Sequence, residues 1–180
     1  MSHQEFLPRI EPIFDDQEHE HPYELYGKIA RAALRRVLEE RFSFKAEKNS
    51  DFRADQYEHF RSLLPIVCMK PCAKKPGDIS FLSLSRYRLN AFKFFFDMVS
   101  GWIFPGKRLN VVVLYAVDFR IPQMGDDVYT LCEVVVRADQ QKELEQILHN
   151  FPIIETELRL GLSSSHYSRR ILEVKGLSAD

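Results

Sequence analysis

A chain of 180 residues, 45% hydrophobic and 28% charged, is long enough for one sizeable domain and apolar enough to bury a core. Its formal net charge of -1 removes the electrostatic case for nucleic acid as the main partner. The most apolar run, residues 92–104, carries Lys93 and Asp97 and falls well short of the ~20 residues a membrane span needs, so no span is expected.

The first 22 residues hold Glu5, Glu11, Asp15, Asp16, Glu18 and Glu20 against the single cation Arg9. Such an imbalance predicts an acidic, flexible arm. From Pro22, Leu25, Ile29, Ala33 and Val37 recur every fourth residue, joined by Tyr26, Ala30, Leu34 and Leu38. Opposite charges four apart (Glu24 with Lys28, Arg35 with Glu39) mark the wet side, and the pattern predicts a helix to about Phe42. A second helix is expected from Asp51, a suitable N-cap, to Leu64, where Pro65 stops it. Residues 23–70 are thus read as a helical segment packing on the core. The short apolar piece Ile66–Met69 and the Pro- and Lys-rich loop from Lys70 to Gly77 separate it from residues 78–180.

From Asp78 the rhythm becomes mixed. Ile79–Leu84 reads as a strand, and Arg86–Ser100 as a helix burying Leu89, Phe92, Phe96 and Val99 while Phe94 lies nearer its edge. Leu109–Ile121 and Val128–Val136 read as two strands joined by a turn over Pro122–Asp127. Asp139–His149 reads as a helix, Ile153–Leu160 as a strand, and Ser163–Gly176 as a last helix. The order β-α-β-β-α-β over residues 78–160 is that of the ferredoxin-like split unit, so the expected fold class is α+β with an antiparallel sheet. If Ile121 faces Val128 across the turn, Val113, Tyr115 and Val117 share a core face with Val136, Val134 and Cys132. The other face then carries Val112, Leu114, Leu131 and Val135, too apolar for water alone to cover. The helix from Pro22 to Arg41 is the obvious internal cover, and a second copy of the chain is the alternative.

Chemistry-bearing residues form no catalytic constellation. Cys68 and Cys72 stand in C-x3-C with no second Cys/His pair at a matching interval, so no metal is assigned. The alternation Glu18-His19-Glu20-His21 sits in the arm and is not preorganised. No glycine-rich phosphate loop occurs, and no cofactor is implied. The three cysteines, an odd count, form no disulfide framework, and the chain opens on polar residues rather than a secretory signal. Both features suit a reducing cytoplasm.

Two surfaces are candidates. Ser163, Ser164, Ser165 and His166 precede Arg169 and Arg170 at a helix start, where free N–H groups, hydroxyls and guanidinium groups can hold an anion such as a phosphometabolite. Capping is the commoner use of serines there. The second is an interface drawn from Val112, Leu114, Leu131, Val135, Phe94 and Trp102. Excess apolar surface without catalytic residues favours an intracellular protein-interaction or assembly domain, through a protein partner or self-association; the alternative is an anion-binding module or an enzyme of unfamiliar type using the helix start at Ser163–Ser165. Ser178 and Asp180, just past Gly176, also suit the start of a further helix, as in one domain of a longer protein.

Overall fold

A computed structural model describes residues 9–13, 20–41 and 54–177. The chain runs through β1 (Glu11–Ile13), α1 (Glu20–Arg41), α2 (Ala54–Leu63), β2 (Ile66–Pro71) and β3 (Asp78–Arg86). It continues through α3 (Ala91–Gly101), β4 (Asn110–Arg120), β5 (Val128–Arg137), α4 (Gln141–Ser163) and α5 (Ser165–Val174). The strands form one antiparallel sheet in the order β1-β4-β5-β3-β2. The fold is therefore α+β.

Strand side chains alternate between faces, and both faces are apolar, which accounts for helices on both sides. Val67, Ile79, Phe81, Cys132, Val134 and Val136 pack with Phe94, Phe95, Met98, Ile147, Ile154 and Leu158 from α3 and α4. Cys68, Leu82, Leu84, Val117, Phe119, Tyr129 and Leu131 point the other way and meet Ala30, Leu34, Val37 and Leu38 of α1 and Phe60 of α2. The helix read from the four-residue repeat is the cover of the second face.

The ferredoxin-like order expected for residues 78–160 is not the one observed. Ile153–Leu160 lies inside α4, which runs unbroken from Gln141 to Ser163 with Pro152 in its interior. Leu144, Ile147, Phe151, Ile154, Leu158 and Leu162 are spaced three and four apart and all pack on the core, so the helical period prevails over a local alternation. The split unit's last strand would return beside its first. That place, next to β3, is taken by β2, the apolar piece ahead of the Lys70–Gly77 loop. The loop is the turn of a β2–β3 hairpin. Gly77, at φ 90°, closes it against β5: its carbonyl accepts the Ala138 N–H at 2.8 Å, and a Cβ there would stand 2.8 Å from the Ala138 oxygen.

Three smaller expectations are also corrected. β3 extends to Arg86 and α3 begins only at Ala91, leaving Leu89 exposed in the connection. Within α3, Phe94 and Phe95 are buried and Phe92 is exposed, the reverse of the expected places of Phe92 and Phe94. Phe94 lies against Gly161 of α4, where a Cβ would fall inside its ring. In the β4–β5 hairpin, Arg120 rather than Ile121 faces Val128, because Ile121 has already left the strand for the Pro122–Met124 turn. The one-residue slip exchanges the partners of every β4 side chain. The expected cap Asp51 and His19 lie outside the described residues.

Candidate functional site

β4 is the part of the sheet whose apolar residues are least covered. Its outer neighbour β1 pairs only with Asp118, Phe119 and Arg120. Among the described residues, no strand pairs with the outer side of residues 110–117. The stretch reads Asn-Val-Val-Val-Leu-Tyr-Ala-Val and holds no charge and no proline. An irregularity between Val111 and Val113 leaves Val112 as an extra residue on the strand. Val113 stands opposite Val135 and Leu114 opposite Val134, so the two point to the α1 face and the α3–α4 face respectively. Neither belongs to the packed clusters beneath the helical layers. Val112, Val113 and Leu114 are 38%, 47% and 44% exposed.

The surroundings extend this apolar edge. Phe92 stacks on Phe96 with ring centroids 6.3 Å apart, and the Arg108 guanidinium lies 5.9 Å from the Phe96 ring centre, just ahead of β4. Lys107, beside it, is committed to Asp139, just ahead of α4, at 2.6 Å and to Glu143 of α4 at 2.7 Å. Those two carboxylates hold its ammonium above the usual lysine range, while Lys107 holds the Glu143 carboxyl below its own. At the far end of the stretch, Asp118 accepts the Thr130 hydroxyl at 2.5 Å.

Of the six interface residues expected from the sequence, the structure brings only Val112 and Leu114 to this surface. Leu131 and Val135 are buried, the former among the residues beneath α1. Phe94 is buried against Gly161. Trp102 is half-buried, with the Lys175 ammonium 3.7 Å from its ring centre and Lys175 also 3.0 Å from Glu157. Val113 was assigned to the core on the mistaken register, and the unbroken Val-Val-Val-Leu run is the signal that marks it.

The serine cluster lies at the junction of α4 and α5. Ser163 ends α4 and donates to the Arg159 carbonyl at 2.7 Å, so its hydroxyl turns back along its own helix. Ser164 is extended between the helices and makes no side-chain cap, and the Ser165 carbonyl accepts the Ser168 hydroxyl at 2.9 Å. His166, Arg169 and Arg170 are exposed, and His166 meets Tyr167 edge-on at 5.9 Å.

A polar cluster lies between α1 and the sheet. Arg36 donates to Ser80 Oγ at 2.7 Å and to Glu133 at 3.2 Å, and the Ser80 hydroxyl donates to the same carboxylate. Tyr115, opposite Glu133, has a buried hydroxyl without a hydrogen-bond partner, and burial next to that carboxylate pushes its ionisation up. Burial likewise pushes up the Cys132 thiol. A hydroxyl and a thiol kept protonated in this way are poor nucleophiles. Among the described residues, no three His, Cys, Asp or Glu side chains come together as a metal would require. None of the described helices is long and apolar enough to cross a membrane.

Comparison with protein-family models, with curated proteins and with solved structures finds no match to this chain.

Proposed function

We propose that this chain is a protein-interaction or assembly domain that works by accepting a strand along the outer edge of β4. The observation that carries this reading is the uncharged stretch Asn110–Val117, in which Val112, Val113 and Leu114 stand exposed toward both faces, with β1 pairing, among the described residues, only with Asp118–Arg120. Unpaired backbone groups along such an edge supply affinity, and alternate side chains supply selectivity. The opposite edge strand, β2, carries Lys70 and Pro71, residues that discourage pairing. β4 carries neither. The odd count of three cysteines, with Cys132 buried in the core, suits a reducing compartment such as the cytoplasm.

The test is an amide-resolved titration of the labelled protein with extended ten-residue peptides rich in Val, Ile and Thr. Strand addition shifts the amides of residues 110–117 and slows their hydrogen exchange. Unperturbed amides across this stretch with every peptide, at every protein concentration, would dispose of the reading.

A further inference from the structure

We propose that the end of the molecule where α3 and α5 begin docks on a lipid surface rich in anionic headgroups, with Leu89 entering the boundary between headgroups and acyl chains. The proposal is independent of the β4 edge.

Two segments make this end. The first is the connection from β3 to α3, where Arg86, Tyr87, Arg88, Leu89 and Asn90 are exposed in succession. Leu89 is 77% exposed and Tyr87 50%. The connection is held in shape. The Tyr87 N–H donates to the Val128 carbonyl at 2.8 Å, the Ala91 N–H to the Arg88 carbonyl at 3.2 Å, and Asn90 makes a left-handed turn at φ 65°. The second segment is the start of α5, with Tyr167, Arg169 and Arg170 exposed. α5 runs in the same direction as α3. Past its end, Leu177 stands 3.7 Å from the Cβ position of Gly101, and the Lys175 ammonium lies over Trp102, both where α3 finishes. Gly161, just ahead of α5, lies against Phe94 in the first turn of α3. The two helix starts therefore share one end.

That end is cationic and apolar together. Among the described residues, none of Arg86, Arg88, Arg169 and Arg170 enters an ion pair. Asp97, within α3, is balanced by Lys93 at 2.9 Å. Asp126 and Asp127 belong to the β4–β5 turn, which leans to the opposite face: its Met124 packs in the layer beneath α1 and accepts from Arg61 of α2. Charge complementarity calls for an anionic partner, and basic residues near an anionic leaflet each add to binding. The leucine decides its kind. Single-stranded nucleic acid would use the arginines and tyrosines but leave Leu89 in water. At a lipid boundary the leucine gains apolar contact, tyrosines sit at headgroup level, and arginines lay their stems on apolar surface with the guanidinium among phosphates.

The test is co-sedimentation of the full chain with phosphatidylcholine–phosphatidylserine vesicles, against phosphatidylcholine alone. Binding is expected only to the anionic vesicles, and it falls as salt is raised. Leu89→Ser is expected to weaken it about tenfold at every salt concentration. Arg169→Glu combined with Arg170→Glu is expected to weaken it about twentyfold or more and to flatten the salt dependence. All three positions are exposed, so the thermal midpoints stay at the parent value. A parent chain that stays in the supernatant, or a Leu89→Ser protein that pellets like the parent, overturns the proposal. So does tighter binding to a single-stranded RNA oligonucleotide that is indifferent to Leu89→Ser, which would assign this end to nucleic acid.

Discussion

Gly161 stands inside α4, where replacing glycine by alanine ordinarily gains about 1 kcal/mol of helix propensity. Here the Phe94 ring occupies the space a Cβ would need, and Phe94 is buried, so the ring can yield only by disturbing the core around it. Gly161→Ala is therefore expected to destabilise the fold by about 1–3 kcal/mol, a fall of several degrees in the thermal midpoint. An unchanged or raised midpoint would show that α3 and α4 can slide apart. Asp78 offers a test in pH. Its carboxylate accepts two bonds from Arg137, at 2.6 and 3.0 Å, and these hold it below the usual carboxylate range although burial pushes the other way. A carboxyl depressed by folding stabilises the native state above its unfolded value of about 4, and that contribution is lost as pH falls through the folded value. Glu143, depressed by Lys107, adds to the same limb, whereas the raised Lys107 contributes below its ordinary value and loses this only in strong alkali. Asp78→Asn is expected to lower the thermal midpoint at neutral pH and to flatten the decline below about pH 4. Acid limbs that run parallel in parent and variant would contradict this.

At the scale of elements, α1 shows how far a helix can be legible from pattern alone. Its stripe of Ala30, Leu34, Val37 and Leu38 is buried against Leu82, Leu84, Phe119 and Leu131, as the four-residue repeat requires. Leu34→Ala removes a fully buried side chain from that layer and is expected to cost about 2–5 kcal/mol, measurable by denaturant unfolding. Where two patterns competed, the sequence was less transparent. Pro152 and the alternating residues after it resemble a helix stop followed by a strand. The longer stripe from Leu144 to Leu162 outweighs them once α4 has a whole sheet to cover. β2 was visible as an apolar piece, but the Pro- and Lys-rich stretch after it reads as a separating linker as readily as the turn of a hairpin, so its pairing with the adjacent β3 was hidden. The hairpin slip has a similar origin, since Ile121 is apolar enough to pass for a strand residue while belonging to the turn. Val112 and Leu114 were legible as surface candidates because they are apolar. Their reason was not: they lie uncovered along an edge, and edges exist only after the strand order is known.

Taken as a whole, the molecule has one sheet clamped between helical layers, and its two ends are finished differently. On the β2 side, Arg159 of α4 donates to the Pro65 carbonyl at 3.0 Å, tying the long helix to the start of the edge strand. α4 is 23 residues long, roughly 35 Å at the helical rise, enough to cross the sheet from the end of β5 to β2. The strut and the Lys70–Pro71 ending make that border unwelcoming to further strands. Among the described residues, the two borders of the sheet therefore differ in kind: Lys70 and Pro71 mark one, and the uncharged stretch 110–117 lies along the other. A strand accepted at β4, as proposed, would leave that lysine and proline at the opposite margin, where they oppose growth from the second side.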